Sequence, residues 1–150
     1  MVTTLGNFVV GQILTANDMD AIATWDSFTV TTTGSANMVF TGQKCVINKV
    51  CIFEIIGEAS AACTPPVTVT LPETMASLNG AVGFQAGYFD DSASVWYYGP
   101  MQRSSGTIVQ TRVWNASATY LTATQPTNVI PFTWAISDLF VLCGAYRMSS

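Results

Sequence analysis

Alternation of apolar and polar residues with a period of two is the feature that most constrains this chain. Three segments show it, with apolar side chains at every second position: residues 27–33, 67–71 and 107–114. A strand of this kind has one buried and one solvated face, which is the pattern of an antiparallel sheet. Residues 46–56 and 139–146 are apolar on both faces. We predict that these two segments are central strands of a sheet or strands at a subunit interface.

Short runs of turn-forming residues separate these segments. The candidate turns are Thr41-Gly42-Gln43, Thr64-Pro65-Pro66, Leu78-Asn79-Gly80, Asp90-Asp91-Ser92, Tyr98-Gly99-Pro100 and Ser104-Ser105-Gly106. Many short strands joined by such turns are typical of layered antiparallel folds. We therefore predict an all-β fold, an antiparallel β-sandwich that is jelly-roll-like.

The first 25 residues follow a different pattern. Residues 1–14 indicate an extended arm, and Thr15 and Asp18 have the spacing of a helix capping box. Met19 and Ile22 follow at helical spacing, and Trp25 closes the segment. A helix of about eight to ten residues is marginal alone and must pack on another surface. We predict an N-terminal arm with one short helix over residues 1–25 and one β-sandwich domain over residues 26–150.

Charged residues are scarce in this chain. They make up 9% of the sequence, against about 25% in an ordinary soluble domain. A monomer with so few charges tends to self-associate, so we expect much of its surface to be buried against other subunits. A surface of Thr, Ser, Asn and Gln is the alternative. The net charge is −4 and the basic residues are scattered, so we expect no binding to nucleic acid or to membranes.

The sequence also lacks the common catalytic and metal-binding patterns. It has no histidine, which removes the commonest general base and every Ser-His or Cys-His arrangement. The four cysteines form no CxxC pair, so a zinc site is not expected. Asp90 and Asp91 suit either a calcium ion or an Asx-type turn, and the turn is the simpler interpretation. We predict no enzyme activity, no metal and no cofactor.

The cysteines are expected to be free thiols, as in a protein made in the cytoplasm. Cys143 lies in an apolar run and is predicted to be a small core residue. A disulfide that involves Cys63 is the alternative. The sequence has neither an apolar span of about 20 residues nor a signal-peptide pattern, which also favours synthesis in the cytoplasm.

Two groups of aromatic residues are candidates for a contact surface. Trp96 and Tyr98 form one group and Trp114 the other. Exposed rings on a sheet can stack on sugar rings, whereas packing in the core or over a sheet face is the simpler role. Trp96 and Tyr97 must face opposite sides of a strand, so one of the two points outward.

Both ends of the chain resemble proteins of tailed bacteriophages. Residues Val10-Gly-Gln-Ile-Leu-Thr-Ala-Asn-Asp-Met-Asp20 resemble the G-x-x-L-T-A-x-D-M-N opening of phage tail and tail-fibre proteins, with Asp20 where Asn is usual. Pro131-Phe-Thr-Trp-Ala-Ile-Ser-Asp138, followed by a strand that ends at Tyr146, resembles the P-x-T-W-A-x-G-D … G-x-Y finish of β-sandwich domains in phage minor tail and fibre proteins. Ser137 stands where that motif has glycine.

The resemblance implies a virion structural protein, made in the host cytoplasm, that forms a homotrimer and binds other tail or capsid proteins. It makes the N-terminal helix an attachment or oligomerisation element, and the residues in that role are Leu14, Thr15, Asp18, Met19, Ile22 and Trp25. A short tail-fibre or receptor-binding protein would present Trp96, Tyr98 and Arg103 to a glycan of the host surface. A capsid decoration or head-fibre protein that stabilises the shell is the alternative, because the chain has little room for a fibre shaft.

Overall fold

The structure is a computed structural model and describes residues 24–76, 82–116 and 121–149. Within these ranges the chain forms β-strands and no helix, so the predicted all-β fold is confirmed, and nothing there could cross a membrane as a helix. The strands are β1 (Asp26–Ser27), β2 (Thr32–Thr33), β3 (Ala36–Ile47), β4 (Val50–Thr64), β5 (Thr68–Thr70), β6 (Val82–Asp90), β7 (Val95–Arg103), β8 (Ile108–Thr111), β9 (Val113–Asn115), β10 (Thr122–Thr124) and β11 (Leu139–Arg147).

Nine of these strands form one antiparallel sheet, in the order β1-β3-β4-β11-β6-β7-β8-β5-β2, and β9 pairs with β10 separately. β4 and β11 lie inside the sheet, as their apolar sequences predicted. Residues 46–56, however, do not form one strand, because the chain turns between β3 and β4. Asn48 and Lys49 have φ angles of 43° and 66°, which makes them the left-handed two-residue turn of a β-hairpin.

Residues 26–33 hold the two ends of the sheet together. β1 pairs with β3 at one end, and β2 pairs with β5 at the other. A flat sheet of nine strands would hold its outermost strands about 38 Å apart, whereas the six residues from β1 to β2 reach about 20 Å. The sheet is therefore curled, so that one short segment bonds to both ends.

The core lies on the inner face of this curled sheet and is rich in aromatic side chains. Phe53, Phe84 and Tyr146 make edge-to-face contacts, with ring centroids 5.3–5.8 Å apart. Tyr88 and Trp134 continue this packing at 6.2 Å. Such pairs stabilise a fold beyond the burial of their area, by about 0.5–1.5 kcal/mol each.

Three of the six expected turns join strands, at residues 64–66, 90–92 and 104–106. Residues 78–80 lie outside the described residues. The other two expectations are wrong, because residues 41–43 lie within β3 and residues 98–100 within β7.

The glycines of these two segments allow close packing and do not reverse the chain. A Cβ atom at Gly42 would lie 2.7 Å from the Val30 side chain and 2.8 Å from the Phe28 ring. At Gly99 a Cβ atom would lie 1.9 Å from the carbonyl oxygen of Arg112, where the chain crosses β7 between β8 and β9. Glycine within a strand often marks such an approach.

All four cysteines are free thiols, and Cys45, Cys51 and Cys63 are buried. The prediction that Cys143 belongs to the core is wrong, because its side chain is exposed. In the register of β11 it lies between Glu54 and Gln85, both outward-facing, whereas Leu142 next to it is buried.

The N-terminal predictions fall almost entirely outside the described residues. These include the extended arm, the short helix and five of its attachment residues: Leu14, Thr15, Asp18, Met19 and Ile22. Trp25, the sixth, is half exposed, and the sheet begins at the next residue. The division of the chain at residue 25 stays a prediction.

Candidate functional site

The outer face of β6 and β7 carries three aromatic side chains in contact. Phe89 lies opposite Trp96 in the strand register, with ring centroids 4.9 Å apart and planes at 35°. Tyr98 follows two residues along β7, and its ring is nearly parallel to that of Trp96, at 13° and 6.0 Å. We call Phe89, Trp96 and Tyr98 the aromatic strip.

Strand alternation sorts the aromatic residues of β7 between two faces. Tyr97 is half-buried on the inner side, where its ring packs on Phe132 at 5.4 Å. Trp96 and Tyr98 point outward, and 42% and 49% of their surfaces are exposed. Packing is therefore the role of Tyr97, whereas its two neighbours are available for contact.

A glycine makes room for the strip. Gly87 pairs with Tyr98 across β6 and β7. A Cβ atom at this position would lie 3.0 Å from the Trp96 ring and 3.7 Å from the Tyr98 ring. Because Gly87 has no side chain, both rings reach over the backbone of β6 and stay close to each other.

The turn between β6 and β7 fixes their register. The Asp90 carboxylate accepts hydrogen bonds from the Ser92 hydroxyl at 2.7 Å and from the Ala93 N–H at 3.1 Å. This is the Asx-type turn that was the simpler interpretation of the acidic pair. Over the described ranges, no group of three or more His, Cys, Asp or Glu side chains is placed to hold a metal ion.

The strip is uncharged, and the charges nearest to it along the chain are negative. The outward positions of β6 and β7 hold neither Lys nor Arg: Gln85, Gly87, Phe89, Trp96, Tyr98, Pro100 and Gln102. Asp90 and Asp91 follow Phe89 directly in the turn. Aromatic faces are electron-rich and attract the partially positive hydrogen atoms of C–H bonds. Chemically, the strip can stack on a flat, uncharged ligand such as a sugar ring.

Arg103 does not join the aromatic strip. It lies five residues beyond Tyr98, about 16 Å along β7, at a position that alternates with the opposite face. Its Nε donates a hydrogen bond to the Ser105 carbonyl oxygen at 3.1 Å, in the turn that follows β7. Trp114, the other candidate, is 42% exposed on β9 opposite Ala123.

Comparison with known proteins identifies no relative. No protein-family model, curated protein or solved structure matches this chain. The function is therefore inferred from the residues of this chain and their geometry.

The C-terminal motif, residues 131–138, is hydrogen-bonded to the turn between β6 and β7. Asp138 is almost fully buried, and its carboxylate accepts the N–H groups of Asp91 at 3.0 Å and Ala135 at 2.6 Å. Ser137 has a φ of 71°, in the left-handed region that favours glycine. This angle gives a physical reason for the glycine that is usual in the motif. Trp134, in the same segment, is buried in the core.

Burial raises the pKa of two core groups that are already neutral at pH 7 when exposed to water. It raises the pKa of the Cys63 thiol to about 11, and the Asp138 carboxylate adds to the rise. A protonated thiol is a poor nucleophile, so Cys63 has a packing role at neutral pH. Burial likewise raises the pKa of Tyr146, whose hydroxyl donates to the Glu73 carbonyl oxygen and accepts the Glu73 N–H, both at 2.9 Å. The Glu73 side chain forms an ion pair with Lys44.

Sequence reasoning missed Phe89 and Gly87. A partial signal was available, because the turn at Asp90-Asp91-Ser92 makes β6 and β7 a hairpin. In the structure that hairpin is centred between Ser92 and Ala93, and counting outward from there pairs Phe89 with Trp96 and Gly87 with Tyr98. The large exposure of Val39, in contrast, has no sequence signal, because Val39 stands in an apolar run between Met38 and Phe40.

Proposed function

We propose that this chain is a phage virion structural protein of the short tail-fibre or receptor-binding type, with the aromatic strip as its contact with the host surface. The observation that carries the proposal is the pair of nearly parallel rings, Trp96 and Tyr98, each about half exposed among outward positions of β6 and β7 that hold no charged residue. Apolar groups clustered on a surface mark interaction sites more often than single ones do.

The partner that fits the strip is a neutral glycan. A pyranose ring has a face of C–H bonds that can lie on an aromatic face, and its hydroxyl groups stay in water. An acidic glycan would meet Asp90 and Asp91 in the turn, whereas the Arg112 guanidinium on this face is held by the Gln102 side chain, four residues beyond Tyr98 on β7. Arg103 is too far along β7 to pair with a ligand seated on Trp96.

Assembly into a particle is the second part of the proposal. The chain forms a homotrimer and attaches to other virion proteins through residues 1–25, in agreement with its low charge content and with its N-terminal resemblance to tail proteins. The curled sheet is a jelly-roll-like sandwich, a description supported by the way residues 26–33 join its two ends.

Glycan binding by Trp96→Ala and Tyr98→Ala variants tests the contact. The purified chain is applied to an array of neutral and acidic bacterial glycans, and the strongest ligand is titrated. Removal of one ring should weaken binding about tenfold or more, because an aromatic stack is worth about 1–3 kcal/mol. Trp114→Ala is the matched control, because Trp114 and Trp96 are equally exposed. Equal losses in the Trp96 and Trp114 variants, or no glycan binding at all, would contradict the proposal.

Gold-tagged antibody on intact virions tests the location. Gold at the tail tip or baseplate supports host attachment, and gold over the head favours a capsid decoration protein. This second candidate is supported by the outer faces of β4 and β11, where Ile56, Leu139 and Val141 remain partly exposed. An apolar sheet face of this kind suits a neighbouring shell protein better than it suits a sugar.

A further inference from the structure

A groove with aliphatic walls and one carboxylate lies beside the part of β4 that contains Glu58. Val39 and Ile136 form the walls and are 64% and 67% exposed, which is unusual for aliphatic side chains. The Glu58 carboxylate lies in the lining, and the groove has a volume of about 400 Å³. The Glu58 carboxylate makes no ion pair or hydrogen bond with any residue that the structure describes. We call this depression the end groove.

The opposite end of β4 carries a projection of complementary character. Asn48 and Lys49 form the tip of the β3–β4 hairpin, and both are exposed. Val50, the next residue, is exposed and lies on the same face of β4 as Glu58. Arg147 lies opposite Val50 in the register and adds a second positive charge. We call Asn48, Lys49 and Val50 the hairpin tip.

The two features cannot meet within one molecule. Glu58 lies eight positions beyond Val50 on β4, which is about 27 Å of extended strand. The two ends of the central strands also differ in charge. Lys49 and Arg147 lie at one end of these strands, and Glu58 and Asp90 lie at the other. Opposite charges on two separate surfaces of one chain favour contact between copies.

We propose that the hairpin tip of one copy docks in the end groove of the next copy. Lys49 pairs with Glu58, and Val50 packs between Val39 and Ile136. The contact joins two different surfaces, because a groove placed against a second groove would bring two Glu58 carboxylates together. A head-to-tail contact of this kind closes a ring when its rotation allows and otherwise builds an open chain. A three-membered ring is the arrangement that a homotrimer requires.

This inference deepens the proposed self-association and does not depend on the aromatic strip. The test uses the purified full chain and measures mass by sedimentation velocity over about a 100-fold range of concentration. Lys49→Glu and Glu58→Lys should each weaken association about tenfold or more, because each places like charges at the contact. The double variant Lys49→Glu/Glu58→Lys restores opposite charges and should associate as the unmodified chain does.

A matched control separates the contact from a general charge effect. Glu54→Lys makes the same change on the same strand and face, outside the end groove, and should leave the mass unchanged. Circular dichroism of each variant checks that the fold is kept. A three-copy species and a chain that grows with concentration both support the head-to-tail contact.

Three outcomes would overturn the inference: an unmodified chain that stays monomeric, a dimer of fixed mass, or single variants that the double exchange does not restore. A monomer whose glycan binding is still lost on Trp96→Ala would leave the proposed glycan contact intact and would remove this contact together with the homotrimer. An assembly that responds to the charge exchange but binds no glycan would support this contact and contradict the proposed glycan binding.

Discussion

At the scale of single residues, the loop before β11 depends on Ser137 and Asp138. Asp138 accepts two backbone N–H groups, one from its own loop and one from the β6–β7 turn. Its buried carboxylate thus connects the core to the turn that sets the aromatic strip in register. Ser137 reaches this arrangement only with a left-handed backbone, which costs a residue with a side chain about 1–3 kcal/mol.

Replacement of that serine by glycine should stabilise the protein. We expect Ser137→Gly to raise the free energy of unfolding by about 1 kcal/mol, because relief of the left-handed strain exceeds the added entropy of the unfolded chain. Urea denaturation followed by tryptophan fluorescence measures the change. Ala135→Gly in the same loop is the control and should lower stability by about 0.5–1 kcal/mol, because Ala135 has no left-handed angle to relieve. A loss of stability in both variants would show that Ser137 is not strained.

At the scale of strands and turns, the sequence predicted strands better than it predicted their ends. Period-two alternation located β5 and β8, and the doubly apolar run from residue 139 located β11. The hairpin at Asn48 and Lys49 was missed, because Lys49 is not a usual residue for a left-handed turn. No local pattern distinguishes such a lysine from one that continues the strand.

The candidate site was predictable only in part, because local patterns do not show which strands lie side by side. Alternation placed Trp96 and Tyr98 on one face, but sequence proximity grouped Arg103 with them although it lies on the other. The end groove combines residues from β3, β4 and the loop before β11, which are far apart in the sequence. Surfaces of this kind depend on strand order, and alternation within single strands does not determine it.

Gly99 tests the close crossing that local reasoning interpreted as a turn. We expect Gly99→Ala to lower the free energy of unfolding by about 3 kcal/mol, because its Cβ would overlap the Arg112 carbonyl group, and a backbone neighbour cannot rotate away. Gly106→Ala is the matched control, since its Cβ would lie 3.3 Å from the end of the Thr74 side chain, and it should change stability by less than about 1 kcal/mol. Thermal or urea unfolding of both variants decides the point. Equal effects would mean that β7 can move away from the crossing.

At the scale of the whole molecule, one segment closes the sheet. The Phe28 N–H donates to the Gly42 carbonyl oxygen at one end of the sheet, at 3.0 Å. At the other end, the N–H groups of Val67 and Thr70 donate to the carbonyl oxygens of Thr33 and Thr31, each at 2.9 Å. Because the same few residues hold both ends, release of one end should loosen the other.

Hydrogen exchange on a Phe28→Ala variant measures this coupling. The variant loses the ring that packs over Gly42, which should cost about 2 kcal/mol for a half-buried phenylalanine. If the sheet closes as one unit, the amides of residue 28, Val67 and Thr70 should lose protection together. Their loss of protection should exceed that of the Leu142 amide in the central strand β11. Phe89→Ala removes an equally half-buried ring from the outer face and should not affect those three amides selectively. Faster exchange at Phe28 alone would mean that the two ends of the sheet open independently, and that β2 and β5 hold together without β1.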